Sequence, residues 1–126
     1  MKKPDAVFLD DLPGGPKPGT LIVELDDLPD HGGKDIQFCE GTRRTQLIVQ
    51  RFGTDVKVYV NSCPHAGTPL NLFDDRFLDQ SGTKFLCRTH GALFEPLSGR
   101  CVRGPCKGDY LLPVAFEVRD GSVYSF

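Results

Sequence analysis

The chain has no surplus of positive charge, no long apolar run and no long amphipathic helical pattern. Its 15 Lys and Arg are outnumbered by 17 Asp and Glu, and the net charge of -2 gives no electrostatic basis for binding nucleic acid. The apolar runs are too short for a membrane-spanning helix. Because Lys2 and Lys3 precede no apolar segment of the kind that a secretion signal contains, we expect a cytoplasmic protein.

What the chain does have is turn-forming residues. Fourteen glycines and ten prolines in 126 residues favour short strands joined by turns over helices. The length allows one domain with a hydrophobic core. Residues 1–19 carry four prolines and three glycines and are predicted to form an extended tail. Residues 20–126 are predicted to form a single domain.

Short alternating segments predict the strands of this domain. Val56, Val58 and Val60 alternate with polar or amphipathic residues, which indicates a strand with one buried face. Similar segments include residues 21–25, 36–39, 45–52 and 84–86. Residues 114–118 and 123–126 flank Asp120-Gly121, which is a strong hairpin signal. The patterns together predict an all-β fold, an antiparallel sandwich or barrel.

Two segments carry the chemistry, and each follows a predicted strand. They are Cys63-Pro64-His65-Ala66-Gly67 and Cys87-Arg88-Thr89-His90-Gly91. A single Cys-x-His would be weak evidence for a metal, because buried thiols and isolated histidines are common. Two matched Cys/His pairs, each followed by glycine, indicate a metal site built on two loop tips.

The distribution of donors restricts the metal. A Cys2His2 zinc site remains open, although zinc modules usually pair Cys with Cys and His with His. Two loops that grip a [2Fe–2S] cluster need one thiolate and one imidazole from each loop. Replacing two thiolates by neutral imidazoles makes the cluster less negative and raises its reduction potential.

The paired motif, with its flanking glycines, resembles the Rieske iron–sulfur domain over about residues 20–126. The resemblance implies that Cys63 and Cys87 bind one iron of a single [2Fe–2S] cluster. It implies that His65 and His90 bind the other iron through Nδ1. The implied fold is an antiparallel β sandwich with a small cluster-binding subdomain, at about residues 61–108.

The sequence departs from the family in the length of its spacer. The 21 residues from Ala66 to Leu86 slightly exceed the usual spacer, which predicts an enlarged loop through residues 71–75. The pair Gly104-Pro105 resembles the family's loop that covers the cluster.

Four positions distinguish the chain from the respiratory members of the family. Those proteins have a disulfide between the two loops, and the matching positions here are Thr68 and Thr89. They also have Ser and Tyr hydroxyls that donate to cluster sulfur, where this chain has Ala92 and Phe94. The sequence is therefore similar to soluble, oxygenase-associated ferredoxins, with an expected potential on the order of -150 mV.

The remaining cysteines and the third histidine are given structural interpretations. Cys39 lies in a weak predicted strand and is expected in the core. Cys101 and Cys106 are expected to be unligated thiols close together across a turn. His31, beside two glycines, is expected in a turn.

The resemblance implies an electron carrier rather than an enzyme. It would pass single electrons from a flavin-containing reductase to an oxygenase, and we expect it to be a monomer. Separate partners are expected because 126 residues leave no room for a flavin domain or a catalytic iron domain. Asp74, Asp75 and Asp79 suggest a docking face for a basic partner. Two alternatives remain open: a small electron-relay subunit of a larger reductase, such as nitrite reductase, and a zinc-bound binding module.

Overall fold

The computed structural model describes residues 3–65, 67–71 and 74–126. Within them, nine strands form three antiparallel three-stranded sheets, with strand orders β1-β9-β8, β2-β3-β4 and β5-β6-β7. The strands are β1 Leu21–Glu24, β2 Gly33–Glu40, β3 Arg43–Phe52, β4 Asp55–Val60, β5 Phe85–Leu86, β6 Leu93–Phe94, β7 Cys101–Arg103, β8 Phe116–Arg119 and β9 Ser122–Ser125. Two short 3-10 turns cover Leu9–Asp11 and Leu25–Asp27. The predicted all-β fold is confirmed.

The first two sheets form the base of the molecule and share one apolar core. Leu47 and Val49 of β3 and Val58 of β4 pack in the same cluster as Val23 of β1 and Val123 of β9. In the register between β3 and β4, Leu47 pairs with Val60 and Val49 with Val58. The alternation that predicted these strands therefore identifies the face that closes the base.

The opposite face of the β3–β4 hairpin supports the small third sheet. Ile48 and Tyr59 are paired in register, both are buried, and they belong to a second core cluster with Phe85 and Phe94. The Tyr59 hydroxyl donates a hydrogen bond of 2.6 Å to the Pro96 carbonyl oxygen, beyond β6. The base thus provides a fixed platform for the sheet that carries the second Cys/His segment.

The proline-rich N-terminal segment contributes to the base. The Val7 N–H donates to the Pro113 carbonyl at 2.9 Å, and the Val7 carbonyl accepts from the Ala115 N–H at 2.8 Å. Leu9 is fully buried in the base core. The boundary between a tail and a domain near residue 20 stays a prediction.

Most strands lie where the alternation predicts them, and the Asp120-Gly121 turn joins β8 to β9. The expectation that Cys39 belongs to the core is wrong, because its side chain is exposed. Strand β2 is an edge strand, and Ile36 and Phe38 direct their side chains to the base. Cys39 follows Phe38 and so points to the other face. His31 lies in a turn, as predicted.

Strands β6 and β7 were not predicted. Of the enlarged loop predicted through residues 71–75, Leu72 and Phe73 lie outside the described residues. In the part of the chain that the structure describes, no helix is long and apolar enough to span a membrane.

Candidate metal centre

The first Cys/His segment folds into a tight loop at the end of β4. The Cys63 carbonyl oxygen accepts a hydrogen bond of 2.7 Å from the Gly67 N–H. The Cys63 N–H donates to the Thr68 carbonyl at 2.8 Å. Gly67 has a φ of 73°, in the left-handed region that only glycine adopts without strain. The glycine after the motif is therefore what lets the chain turn back onto the cysteine.

The second segment, after β5, is built in the same way. The Cys87 carbonyl accepts from the Gly91 N–H at 2.9 Å, and the Cys87 N–H donates to the Ala92 carbonyl at 2.8 Å. Gly91 has a φ of 75°. In both loops the bonds join the cysteine to the fourth and fifth residues after it. Two segments that differ in histidine spacing thus share one backbone conformation.

The two loops bring the four predicted donors into one region with a consistent polarity. The thiols of Cys63 and Cys87 are buried, at 2% and 0% exposure. The imidazoles of His65 and His90 are exposed, and their ring centroids lie 4.8 Å apart at an interplanar angle of 81°. The sulfur donors thus face the protein interior, and the nitrogen donors lie at the surface.

Contacts between the loops hold the two segments side by side. The Thr68 and Thr89 hydroxyl oxygens are 3.4 Å apart. The Arg88 N–H donates to the Leu70 carbonyl at 3.0 Å. The positions that the resemblance matches to the disulfide cysteines of respiratory proteins are therefore neighbours in space.

A buried amide pair, which the sequence analysis did not identify, braces the first loop. Asn61 Oδ1 accepts from the Leu70 N–H at 2.8 Å, and Asn61 Nδ2 donates to Asn71 Oδ1 at 2.8 Å. Asn71 Nδ2 donates in turn to the Asp74 carbonyl at 2.7 Å and to Asp35 Oδ2 on β2 at 3.2 Å. The only sequence signal was two asparagines on either side of the first motif, in a chain where asparagine is rare.

The loop that carries Gly104-Pro105 packs closely on the second Cys/His loop. A Cβ on Gly104 would lie 2.9 Å from the Ala92 Cα, and the Gly104 φ is 105°. A side chain at residue 104 would therefore force the two loops apart. Ala92 and Phe94 are both fully buried in the cluster of side chains that contains Cys63 and Cys87. No hydroxyl is available at either position.

Two further thiols lie beside Cys63. The Cys106 thiol donates to Cys101 Sγ at a sulfur–sulfur distance of 3.1 Å, and both residues are buried. Burial, followed by the neighbouring Cys101 and Cys63 sulfurs, raises the pKa of the Cys106 thiol far above its usual range. Cys101 and Cys106 are therefore close together, as predicted. That they are unligated thiols stays a prediction.

The donors fit a binuclear iron–sulfur cluster. Thiolates and imidazoles are the ligands of iron in clusters with mixed Cys and His ligation. The sulfur donors are placed in a buried apolar environment, and the nitrogen donors at its exposed edge. This polarity matches a cluster whose inner iron takes sulfur and whose outer iron takes nitrogen.

Comparison with known proteins gives the family. The family model of the Rieske [2Fe-2S] domain matches residues 20–119. The chain therefore belongs to the Rieske [2Fe–2S] family, and its cofactor is one [2Fe–2S] cluster. No curated protein sequence matches the chain.

Solved structures agree with the fold. The ferredoxin of carbazole 1,9a-dioxygenase from Nocardioides aromaticivorans IC177 superposes with a TM-score of 0.65 and 20% identity, over 86% of this chain and 97% of that one. The Sphingomonas yanoikuyae B1 ferredoxin gives 0.64 and 22%, over 85% and 96%. The terminal oxygenase of carbazole 1,9a-dioxygenase from Novosphingobium sp. KA1 gives 0.66 and 18%, over 87% of this chain but 29% of that one. This chain thus shares its fold with both ferredoxins and with part of the terminal oxygenase.

Proposed function

We propose that the protein is a ferredoxin: a monomeric, cytoplasmic, non-enzymatic carrier of single electrons from a flavin-containing reductase to an oxygenase. The main support for this proposal is the pair of matched loops, which directs two imidazoles to the surface and two thiols to the interior. A solved complex of reduced oxygenase and oxidized ferredoxin in carbazole 1,9a-dioxygenase contains a chain that matches this fold over 89% of its length, which supports an oxygenase as a partner.

We assign the ligands residue by residue. Cys63 and Cys87 hold the inner iron, and His65 and His90 hold the outer iron. The bound cluster supplies a one-electron couple at a potential set by its ligands and surroundings. The apolar side chains around the two thiols exclude water from the sulfur side, and the exposed imidazole edges give a partner protein a short route to the outer iron.

The third histidine does not supply the ligands of a mononuclear iron centre within these residues. A mononuclear iron centre of the facial-triad type needs two histidines and a carboxylate besides the cluster ligands. His31 is the one histidine left in the sequence, and its Nδ1 lies 2.9 Å from Asp30 Oδ1 in an exposed turn. Its ring also meets Phe52 edge-on at 5.5 Å. His31 is thus committed to the turn before β2.

The test of the carrier role is a reconstituted electron-transfer chain. Holoprotein added in catalytic amounts to a flavin-containing ferredoxin reductase and a Rieske oxygenase should make product formation depend on its concentration. Gel filtration of the protein expressed alone should give a monomer. A protein that aggregates alone and co-purifies with a large reductase would instead support the fixed-subunit alternative.

The test of the ligands is cluster content. Cys63→Ser and Cys87→Ser should prevent assembly, while the parent should contain two irons and two labile sulfides per chain. Cys39→Ser is the matched control, because Cys39 is exposed on the edge strand, and it should retain the full cluster. One zinc and no labile sulfide in the parent would contradict the assignment.

A further inference from the structure

An open groove lies against the exposed ring of His90. Its volume is about 1000 Å³, and its lining includes Gly91 of the second loop and Gly104 of the covering loop. Residues of segment 76–80 form another part of its lining. Since His90 is an assigned ligand of the outer iron, the groove lies where an electron would enter or leave.

The groove is lined by three arginines, Arg76, Arg88 and Arg103, and by one carboxylate, Asp79. Asp79 Oδ1 accepts hydrogen bonds from Ser81 Oγ at 2.7 Å and from the backbone of Thr83 and Lys84 at 3.3 Å each. These bonds, that from Ser81 first, lower the pKa of Asp79. Asp79 is thus engaged within its own turn, and the arginines dominate the groove.

The arginines are weakly neutralised by the protein itself. Arg76 Nε lies 3.5 Å from Asp74 Oδ2, but this pair is exposed, and such pairs contribute little. Arg88 Nε is buried and has no hydrogen-bond partner among the described residues. Arg103 is exposed and makes no ion pair with any residue that the structure describes. Arg76 and Arg103 therefore leave positive charge at the groove that the described carboxylates neutralise only weakly.

The acidic residues that the sequence suggested as a docking face are engaged in local structure. Asp75 Oδ1 accepts from the Asp35 N–H at 2.8 Å, and Asp74 Oδ1 accepts from the Arg76 N–H at 3.1 Å. The local positive charge also opposes the net charge of -2 of the whole chain. The surface beside His90 is therefore positively charged, although the chain as a whole is negatively charged.

We propose that this groove is the docking surface for the redox partner and that the partner presents an acidic protein surface to it. The inference rests on the carrier function proposed above. Carboxylates of the partner would pair with Arg76 and Arg103, whose side chains are exposed. Opposite charges at the rim would guide the two proteins to an orientation with the His90 edge facing the partner.

The experiment measures oxidation of the reduced holoprotein by small complexes of opposite charge in stopped flow. Each hexacyanoferrate(III) anion or hexaamminecobalt(III) cation takes one electron from the cluster. The groove predicts that oxidation by the anion slows as ionic strength rises, whereas oxidation by the cation accelerates. Arg103→Glu and Arg76→Glu should each slow the anion by at least about threefold at low salt and accelerate the cation.

The matched control is Arg119→Glu, which makes the same charge change on strand β8 of the base. It should alter the two rates far less than Arg103→Glu. Poly-L-glutamate should compete with hexacyanoferrate(III), and poly-L-lysine should not, if the groove accepts an acidic polypeptide. Competition by free glutamate at the same residue concentration would instead indicate a small-anion site and would overturn the docking proposal.

The proposal is overturned if Arg103→Glu and Arg119→Glu change the rates equally. It is also overturned if rising ionic strength accelerates the anion and slows the cation, as the net charge of -2 alone predicts. These results would leave the carrier role intact, because the reconstituted chain measures that role separately. Conversely, the protein could show the predicted charge selectivity and yet support no oxygenase. That result would support the positively charged groove and contradict the proposed carrier function.

Discussion

The hydroxyl oxygens of Thr68 and Thr89 lie 3.4 Å apart, although 21 positions separate the two residues. Thr68 follows the first Cys/His loop, and Thr89 lies within the second. Their contact and the bond from the Arg88 N–H to the Leu70 carbonyl join the two loops without a disulfide at these positions.

The first prediction follows from that distance. The double variant Thr68→Cys/Thr89→Cys should form a disulfide, because the hydroxyl oxygens that the two sulfur atoms would replace are 3.4 Å apart. Closing a loop of this length should stabilise the protein by about 3 kcal/mol. The measurement is peptide mapping without reductant, together with chemical unfolding. Each single variant is a control and should retain an alkylatable thiol. Full alkylation of both new cysteines in the double variant would contradict the loop geometry.

The second prediction concerns the potential. Ala92 and Phe94 are fully buried near the ligand thiols and lack hydroxyls. A hydroxyl that donates to a cluster sulfur stabilises the reduced state, and the part that differs between redox states is about 1–2 kcal/mol. Ala92→Ser and Phe94→Tyr should each raise the potential by roughly 40–90 mV, measured by protein-film voltammetry. Leu97→Ala, on an exposed side chain, is the control. An unchanged potential in a double variant with normal cluster content would show that these positions do not face the sulfurs.

The third prediction concerns alkaline pH. Burial raises the pKa of Tyr59 to about 12, whereas an unfolded tyrosine has a pKa of about 10. The neutral phenol is favoured in the fold, so its contribution is complete below pH 10 and is lost as the pH rises towards about 12. The free energy of unfolding should fall across this window by up to about 2–3 kcal/mol.

The variant that tests this cause is Tyr59→Phe. It should lose about 1 kcal/mol at neutral pH with the hydrogen bond to Pro96, and it should show a shallower alkaline decline. Urea unfolding between pH 8 and 11.5 measures both effects. Tyr110→Phe is the matched control and should retain the parental slope. Parallel declines in Tyr59→Phe and the parent would exclude Tyr59 as the cause.

The fourth prediction concerns the N-terminal segment. Leu9 is fully buried in the base core. Leu9→Ala should therefore destabilise the protein by about 2–5 kcal/mol through lost burial and the cavity left behind. Leu97→Ala, at 74% exposure, should have almost no effect. Thermal and urea unfolding of the two variants provide the comparison, and equal stabilities would show that the segment adds nothing to the base.

Strands and site loops could be predicted from the sequence where a residue pattern recurs within a few positions. The alternation of Val56, Val58 and Val60 identified β4, and the two Cys/His motifs with their glycines identified the site loops. Strands β6 and β7 have two and three residues, which is too short for a period to appear. Cys39 was misplaced because an edge strand buries only one of its faces.

Features that depend on the meeting of distant segments were not visible in the sequence. The amide of Asn61 reaches Asn71 and, through it, Asp35 of another strand. Arg76 and Arg103 are far apart along the chain. They line one groove because the loop that carries Gly104 packs against Ala92. The sequence suggested a docking face at Asp74, Asp75 and Asp79 because their charges are visible in the composition. The hydrogen bonds that these carboxylates accept are visible only in the structure.

Strand β3 serves two purposes at adjacent positions. Leu47 and Val49 pack in the base, while Ile48 packs in the cluster of side chains that contains Cys63 and Cys87. Substitutions one residue apart therefore alter different cores, one in the base and the other around Cys63 and Cys87. Such a division gives a lineage of carriers a means to diverge in potential while retaining the same folded frame.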